Sequence, residues 1–347
     1  MKLHHLETVD GFIAFDFDDC RTSAGGTRFA PDVTELEAGL LARAMTYKFG
    51  VIGREVGGAK GAVRGTSSEK PEIMLRYCDE VKPLVKAFTF LTGPDLGTSE
   101  TDFTPLRDPS APRSVMAGSV GNEPIEDLVT GFGVVVGAET AMGPIEGVTF
   151  AIEGFGKVGG GVAREVVRRG GTVVAISTVD GCVFDPDGLD VELLLSMRSV
   201  HGDGVVAALG SEHKSDPTSL FDVDAEVLVP GARTGVITAL VAERLRTRWI
   251  APAANVPYSA DSIDVMRARR IRYLPDFVCN AGATLGYTSN ASDAGALFGY
   301  VEQKIAALMS EASAFAHGPF EGACAMAERF IAGWRGPDGL PAGPPLA

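Results

Sequence analysis

Positive charge is the first thing this chain is short of. Its 347 residues carry 31 lysines and arginines against 45 aspartates and glutamates, a formal net charge of −14. The acids are scattered rather than gathered into a tail, and neither nucleic acid nor an anionic membrane surface suits such a balance as a partner. Cysteine is scarce too. Cys20, Cys78, Cys182, Cys279 and Cys324 are odd in number, far apart and without CxxC or histidine-linked spacing, so neither a disulfide framework nor a zinc site is expected. Reduced, mostly buried thiols are the reading. His4, His5, His201, His213 and His317 show no metal-ligand spacing and read as surface or structural. No apolar run reaches the ~18 residues of a membrane span, and the N-terminal stretch has no apolar signal core. No membrane association and, by default, a cytoplasmic location are expected. What is present, 45% hydrophobic and 22% charged residues, is the composition of a globular protein long enough for two domains.

The most informative stretch is Val148 to Gly161, VTFAIEGFGKVGGG. An apolar, β-branched run ends in Gly154-Phe155-Gly156-Lys157-Val158-Gly159 and passes into an apolar-periodic segment, which predicts strand, tight glycine turn and helix. Gly154 allows the sharp turn, Gly156 lets backbone approach a pyrophosphate, and Gly159 lets helix pack against strand. The helix N-terminus adds unpaired N–H groups and a positive dipole end. A GxGxxG by itself is weak evidence in a chain of 43 glycines. Context strengthens it: a helix to Arg169, a Gly170-Gly171 stop and a second strand, Thr172 to Ser177, complete a βαβ unit of about 30 residues. The alternative reading is a purely structural turn in a doubly wound sheet.

Upstream, residues 11–17 read as an apolar strand broken by Ala24-Gly25-Gly26-Thr27-Arg28. Pro31-Asp32 then opens a helix along Val33, Leu36, Leu40, Ala44 and Tyr47 that ends near Lys48. Gly57-Gly58-Ala59-Lys60-Gly61 reads as a tight apolar loop in which nothing local offers Lys60 a counter-charge. Two lysines brought together, one of them desolvated, should leave at least one with a depressed pKa, fit to exchange protons near neutral pH. The bland alternatives are a C-terminal helix charge at Lys48 and an exposed lysine on a glycine turn. A helix is predicted over 68–81 with Pro83 beyond its end, then a buried strand 87–91 running into Asp95, either a turn-former or a group at the sheet end where α/β folds place their chemistry. Residues 107–125 read as a loop and 126–139 as a helix. After the second nucleotide strand come a turn at 185–188, a helix over 189–197, strands near 226–230, 248–251 and 272–274 with helices between, and two helices near 295–315 and 321–334. The alternation predicts a largely parallel sheet.

Nine segments in order carry a resemblance: Gly25-Gly26-Thr27-Arg28, Met45-Thr46-Tyr47-Lys48, Gly57-Gly58-Ala59-Lys60-Gly61, Gly93-Pro94-Asp95-Leu96-Gly97-Thr98, Thr130-Gly131-Phe132-Gly133, the glycine turn, Asp185-Pro186-Asp187-Gly188, Ala254-Asn255-Val256-Pro257 and Pro275-Asp276-Phe277-Val278-Cys279-Asn280-Ala281-Gly282. Over most of 20–290 the chain resembles the glutamate/leucine/phenylalanine/valine dehydrogenase family. The resemblance implies an α/β protein with a substrate-binding and catalytic domain over 1–130 and a doubly wound Rossmann NAD(P)-binding domain over 131–290. Helices over 291–335 are expected to return to the first domain, and the Pro/Gly-rich 336–347 to be a disordered tail. It implies oxidative deamination of an L-amino acid to the 2-oxo acid and ammonia, in a homo-oligomer. Lys48 is implied to hold the substrate carboxylate, Lys60 to be the catalytic lysine and Asp95 the proton shuttle. Thr130, Ala254, Asn255 and Asn280 are implied to contact cofactor or substrate.

The chain also departs from the family pattern. Its N-terminus starts roughly 15 residues late by alignment, and Arg54, Glu55 and Arg233 place charges where relatives are mostly uncharged. Thr178 ends the second nucleotide strand where an acid would bind the ribose diol, leaving Asp180 to reach it, so the expectation is NAD, with NADP possible. Glutamate-specific members have a lysine at the position of Ala24, beside Gly25 and Gly26, and a serine at that of Tyr287. A γ-carboxylate would here lack a partner, so an apolar or aromatic substrate is expected. The competing readings are a cofactor-binding paralogue with a regulatory role and a 2-hydroxy-acid dehydrogenase. The latter lacks a suitably placed histidine.

Overall fold

The strand at the centre of the N-terminal sheet, Gly57–Val63, is buried at every residue and holds Lys60 in its middle. This corrects the expectation of a tight loop around Lys60. A strand of this composition exists because of what crosses it. The helix Glu35–Val51 packs on it so closely that a Cβ at Gly58 would strike the Ala42 carbonyl and Thr46, while the Gly58 N–H donates to Thr46 Oγ1 at 3.0 Å. Only glycine fits, so the low strand propensity of the sequence is overridden by tertiary packing. The structure is a computed structural model that describes residues 1–347 except 109, 111–113, 122 and 210–214.

Around that strand the sheet order is Lys2–His5, Gly11–Phe15, Gly57–Val63, Ser23–Ala24, Phe90–Leu91, with Thr27–Phe29 also pairing to Gly57–Val63. The segment expected to break the first strand is therefore itself two short parallel strands. Its Gly25-Gly26 forms the gap between them: Ala24 lies opposite Gly58 and Thr27 opposite Gly61, so the two glycines face Ala59 and Lys60. A Cβ at Gly25 would collide with the Ala59 carbonyl. Beneath the sheet, Ile13, Phe29, Val63, Met74, Tyr77, Val81 and Phe90 form one core, each large apolar side chain contributing about 2 kcal/mol through burial.

Other boundaries move for physical reasons. The first helix starts after an N-cap at Thr34, and its buried face runs through Ala38, Leu41 and Ala42, leaving Leu36 73% exposed. The second helix, Lys70–Lys86, keeps Pro83 inside it. It closes with Thr89 N–H donating to Leu84 O and Phe88 at φ 57°, a left-handed position usually held by glycine. That closure consumes most of the strand expected over 87–91, which shrinks to Phe90–Leu91. Of the expected 107–125 loop, the described residues include a 3-10 turn Val115–Ala117 and a small hairpin of Ser119–Val120 with Glu123–Pro124.

The chain divides into two compact units, Met1–Arg113 with Cys324–Pro345, and Ser114–Ala323 with Leu346–Ala347. Of the two late helices, Ala294–Ser313 belongs to the second unit and Pro319–Arg335 joins the first from Cys324 onward. The segment expected as a disordered tail carries a 3-10 turn, Pro337–Gly339, and Ala347 exchanges backbone hydrogen bonds with Tyr258 and Ala260.

In the second unit the sheet order is Gly181–Phe184, Thr172–Thr178, Thr149–Glu153, Val227–Pro230, Trp249–Ile250, Arg272–Tyr273. Every pair is parallel except the first, whose edge strand Gly181–Phe184 is antiparallel and went unread in the sequence. The order reverses beside Thr149–Glu153, which places the glycine turn at the switch point of a doubly wound sheet. The helix Ile125–Met142 crosses the turn's helix Lys157–Arg168 at Gly131, where a Cβ would collide with the backbone at Val162.

Candidate functional site

In the first unit Gly25-Gly26 runs between the Lys60 strand and the chain after Phe90–Leu91, with Gly61 N–H donating to Gly26 O, and Gly25 and Thr27 N–H donating to Leu91 O and Gly93 O. Thr98 Oγ1 latches the loop, accepting from Asp95 N at 2.8 Å and donating to Thr27 O at 2.9 Å. Gly97 at φ +78° lies against the Phe29 carbonyl. Asp95 is thereby delivered to Lys60, with Nζ to Oδ1 at 2.7 Å and side chains only 3% and 15% exposed. Its other oxygen, Oδ2, accepts from Arg28 Nε at 2.9 Å, and Arg28 in turn donates to Glu37 Oε1 at 2.5 Å. Behind this row Thr27 shares hydrogen bonds with Tyr77 and Thr92.

The electrostatics follow from burial. Desolvation pulls the Lys60 ammonium below its ordinary pKa, against the attraction of Asp95. Burial pushes the Asp95 carboxyl up, but Lys60 and Arg28 together outweigh it and hold the group well below the usual carboxylate range. An ammonium held below its ordinary pKa exchanges its proton closer to neutral pH, while the Asp95 carboxylate stays ionised beside it. Lys48 is buried on the helix that crosses the Lys60 strand. Arg54 and Glu55 are exposed past that helix.

In the second unit, Gly154 sits at φ +82° against Ala232, and a Cβ at Gly159 would meet the Gly154 carbonyl. At Gly156 a Cβ would meet nothing nearer than Asp203 Oδ1 at 3.8 Å, so the backbone there is open to a ligand. The sharp turn, the close helix and the open middle glycine fit a dinucleotide pyrophosphate. Val158 is half-buried; Lys157 is exposed and pairs with Asp127 at 3.4 Å. Thr178 is buried at its strand end, its Oγ1 accepting from Asp180 N, and exposed Asp180 lies with Oδ2 3.9 Å from where Gly204 would carry a Cβ. Further along, Asn280 Nδ2 donates to Asn255 Oδ1 at 2.9 Å and to Ala253 O at 3.1 Å, next to Ala254. A Cβ at Gly282 would meet the backbone of Val129 and Thr130, so Thr130 borders the same cluster. Tyr287 ends the helix Gly282–Tyr287 and is 46% exposed. Arg233 is exposed.

Four residues carry parts of this arrangement that the sequence reading did not assign. Arg28 stood inside a motif without a role, and nothing local tied it to Asp95, 67 positions away. Asp203 lies in a 3-10 turn beside Gly156. Asp276, fully buried, accepts from Val256 N at 2.9 Å and supports Val256 at φ 51° beside Asn255. Glu153, the residue before Gly154, accepts from the backbone N–H groups of Gly231 and Ala232 at 3.1 and 3.2 Å.

Burial raises the Glu153 pKa, and the two N–H donors and Arg233 only partly offset it. Because its folded pKa lies above the unfolded value, the folded state holds this proton more tightly, and Glu153 destabilises the fold increasingly as pH rises through that window. Glu153→Gln keeps an acceptor oxygen and loses the charge. Thermal unfolding should show it above the unmodified protein in Tm at pH 7.5 and level with it at pH 4; equal Tm values at both would refute the buried-charge reading.

Among the described residues no group of three or more His, Cys, Asp or Glu could hold a metal, and no helix is long and apolar enough to cross a membrane. His4, His5, His201 and His317 are exposed, and His213 lies outside the described residues. Cys20 is half-buried and the other four cysteines are buried, with the Cys78 and Cys182 thiols pushed up to about 11 by desolvation.

Two family models match the chain: "Glu/Leu/Phe/Val dehydrogenase, dimerisation domain" over residues 1–109, and "Glutamate/Leucine/Phenylalanine/Valine dehydrogenase" over 121–316. A glutamate dehydrogenase of Thermotoga maritima is 30% identical over 319 residues, covering 86% of this chain and 76% of that protein. Glutamate dehydrogenase A2 of Halobacterium salinarum is 30% identical, covering 80% and 71%. Among solved structures, the Leu-bound form of a hetero-hexameric glutamate dehydrogenase from Thermus thermophilus aligns at TM-score 0.77 and 23% identity, over 92% of this chain and 83% of that one. An L-tryptophan dehydrogenase from Nostoc punctiforme aligns at 0.63 and 21%, over 96% and 94%. At these identities the structural matches speak for the fold alone.

Proposed function

The chain belongs to the glutamate/leucine/phenylalanine/valine dehydrogenase family, an NAD(P)-dependent amino acid dehydrogenase by that membership, and we propose that it oxidises L-amino acids with apolar or aromatic side chains, using NAD. The net reaction is L-amino acid, NAD+ and water to 2-oxo acid, ammonium, NADH and a proton. The observation that carries the reading is the buried Lys60–Asp95 pair at 2.7 Å. Bound nicotinamide supplies the acceptor for the α-hydride. The protein does the rest: Lys48 holds the α-carboxylate by its charge, Asp95 takes a proton from the substrate ammonium, and neutral Lys60 takes one from the attacking water and polarises the carbinolamine. Thr130, Asn255 and Asn280 orient the nicotinamide half, while Gly154, Gly156 and Gly159, with Lys157 and Val158, hold the pyrophosphate.

The side-chain preference rests on Ala24 and Tyr287. A methyl at position 24 gives a glutamate γ-carboxylate no counter-charge, and desolvating it unpaired costs several kcal/mol. Supporting the choice of NAD, Asp180 lies two residues past the second strand's end at Thr178, where its charge would repel a 2′-phosphate. We further propose a cytoplasmic homo-oligomer. A panel of L-amino acids with each nucleotide, scored by kcat/KM, tests the reading. The apolar and aromatic amino acids should exceed glutamate by about 100-fold or more, and NAD should exceed NADP. Glutamate at the head of the panel would sink the pocket assignment, and nucleotide binding without any turnover would favour the regulatory paralogue.

A further inference from the structure

We propose that Arg28 is a positioning residue for this chemistry, aligning Asp95 toward Lys60, with Glu37 as its anchor. The inference rests on the dehydrogenase reading above and adds two residues to it.

The geometry is that of a four-membered charged row. Lys60 Nζ meets Oδ1 of Asp95, Arg28 Nε meets Oδ2, and Arg28 Nη1 meets Glu37 Oε1. Each comes from a different element: Lys60 from Gly57–Val63, Arg28 from Thr27–Phe29, Glu37 from Glu35–Val51, Asp95 from the loop latched by Thr98. A carboxylate held at both oxygens has one orientation, and its Oδ1 is left aimed at Lys60. Arg28, with its side chain 13% exposed, offers a planar fork able to serve two carboxylates at once, which a lysine cannot match. The position is fixed as well as the partner, because the gap at Gly25-Gly26 resumes pairing at Thr27 and puts Arg28 opposite Ala62.

Asp95, Arg28 and Glu37 act on Lys60, and Lys60 and Arg28 act on Asp95, and their signs make the proposal testable. The positive charge of Arg28 disfavours a proton on either group. Glu37 favours one on Lys60. Loss of Arg28 should therefore make both groups bind protons more tightly, while loss of the Glu37 charge should loosen the Lys60 proton. The limb of kcat/KM that falls as the pH drops reports Lys60 in the free enzyme, since Asp95 stays ionised across it.

The experiment measures that limb for the best amino acid of the panel in Arg28→Gln, Arg28→Lys and Glu37→Gln, alongside nucleotide affinity. Arg28→Gln should move the limb up by about one pH unit and lower kcat. Arg28→Lys should leave the limb near its original pH yet lower kcat, since a single ammonium cannot hold Asp95 and Glu37 together. Glu37→Gln should move it down, and nucleotide affinity should stay level throughout. An unmoved limb in Arg28→Gln, or limbs moving the same way in Arg28→Gln and Glu37→Gln, would overturn the proposal, and a general loosening of the fold produces neither of the opposite shifts. Titration of the Lys60 Cε resonance by NMR, assigned by its loss in Lys60→Arg, reads the same shifts without turnover. An unmodified protein that turns over nothing therefore counts against the dehydrogenase reading, while Arg28 stands or falls on the resonance.

Discussion

Lys60→Ala should lower kcat by about a thousandfold or more, the range of a lost proton-transfer group, while the dissociation constant for the dinucleotide changes less than about twofold. The reason is location. Lys60 sits in the first unit, in contact with Asp95 and far in sequence from the glycine turn, so its loss removes a group at the reacting centre and leaves the cradle of Gly154, Gly156 and Gly159 untouched. Asp95→Asn should show the same pattern, because an amide keeps the size and the hydrogen bond from Arg28 but takes no proton. Lys48→Ala should chiefly raise KM. Rapid-mixing kinetics with separate titration of nucleotide binding checks all three. Near-normal kcat in Lys60→Ala would remove Lys60 from the mechanism, and parallel losses of kcat and nucleotide affinity would mean that the substitution had damaged the fold instead.

Gly159→Val has the second large effect, and its signature is the reverse. A Cβ at position 159 would strike the carbonyl of Gly154 and lie 3.5 Å from Ile152 Cγ2, so the helix Lys157–Arg168 cannot keep its distance from the strand Thr149–Glu153. Overpacking of this kind destabilises by about 3 kcal/mol. The turn at Gly154 opens with it, and nucleotide affinity should fall by at least ~100-fold, about 2.7 kcal/mol. Calorimetric titration with NAD and urea unfolding measure the two losses. Full affinity in a folded Gly159→Val protein would show that the nucleotide does not depend on this turn.

The parts of the molecule legible in the sequence are those where local chemistry and tertiary demand agree. The βαβ unit at Thr149–Thr178 is one: β-branched strands, a glycine turn and a helix period all point the same way, and the elements fall where expected. Lys60 is the opposite case. A role for it could be proposed from the sequence, yet its setting could not be read, because Gly57, Gly58 and Gly61 read locally as a loop and are glycines only because neighbouring elements press on them from outside. Phe88 likewise closes a helix in a conformation that a bulky residue rarely adopts, and no local signal marks it. Within the site, the sequence could nominate Asp95 and Lys60 one by one. What joins them, the Thr98 latch onto Thr27 and the Arg28 bridge to Asp95, links residues 71 and 67 positions apart, and such pairings are visible only in the folded chain.

The central claim is that this chain removes the α-hydride and the amine from an L-amino acid. The most direct measurement is the stoichiometry of purified protein incubated at alkaline pH with L-leucine, L-phenylalanine or L-tryptophan and NAD+, following reduced nucleotide, ammonia and 2-oxo acid together. The account predicts that the three products appear in equal amounts with at least one of these substrates, and that Lys60→Ala forms none of them. Bound NAD+ that is never reduced by any of the proteinogenic amino acids, with NADP+ equally silent, would contradict it.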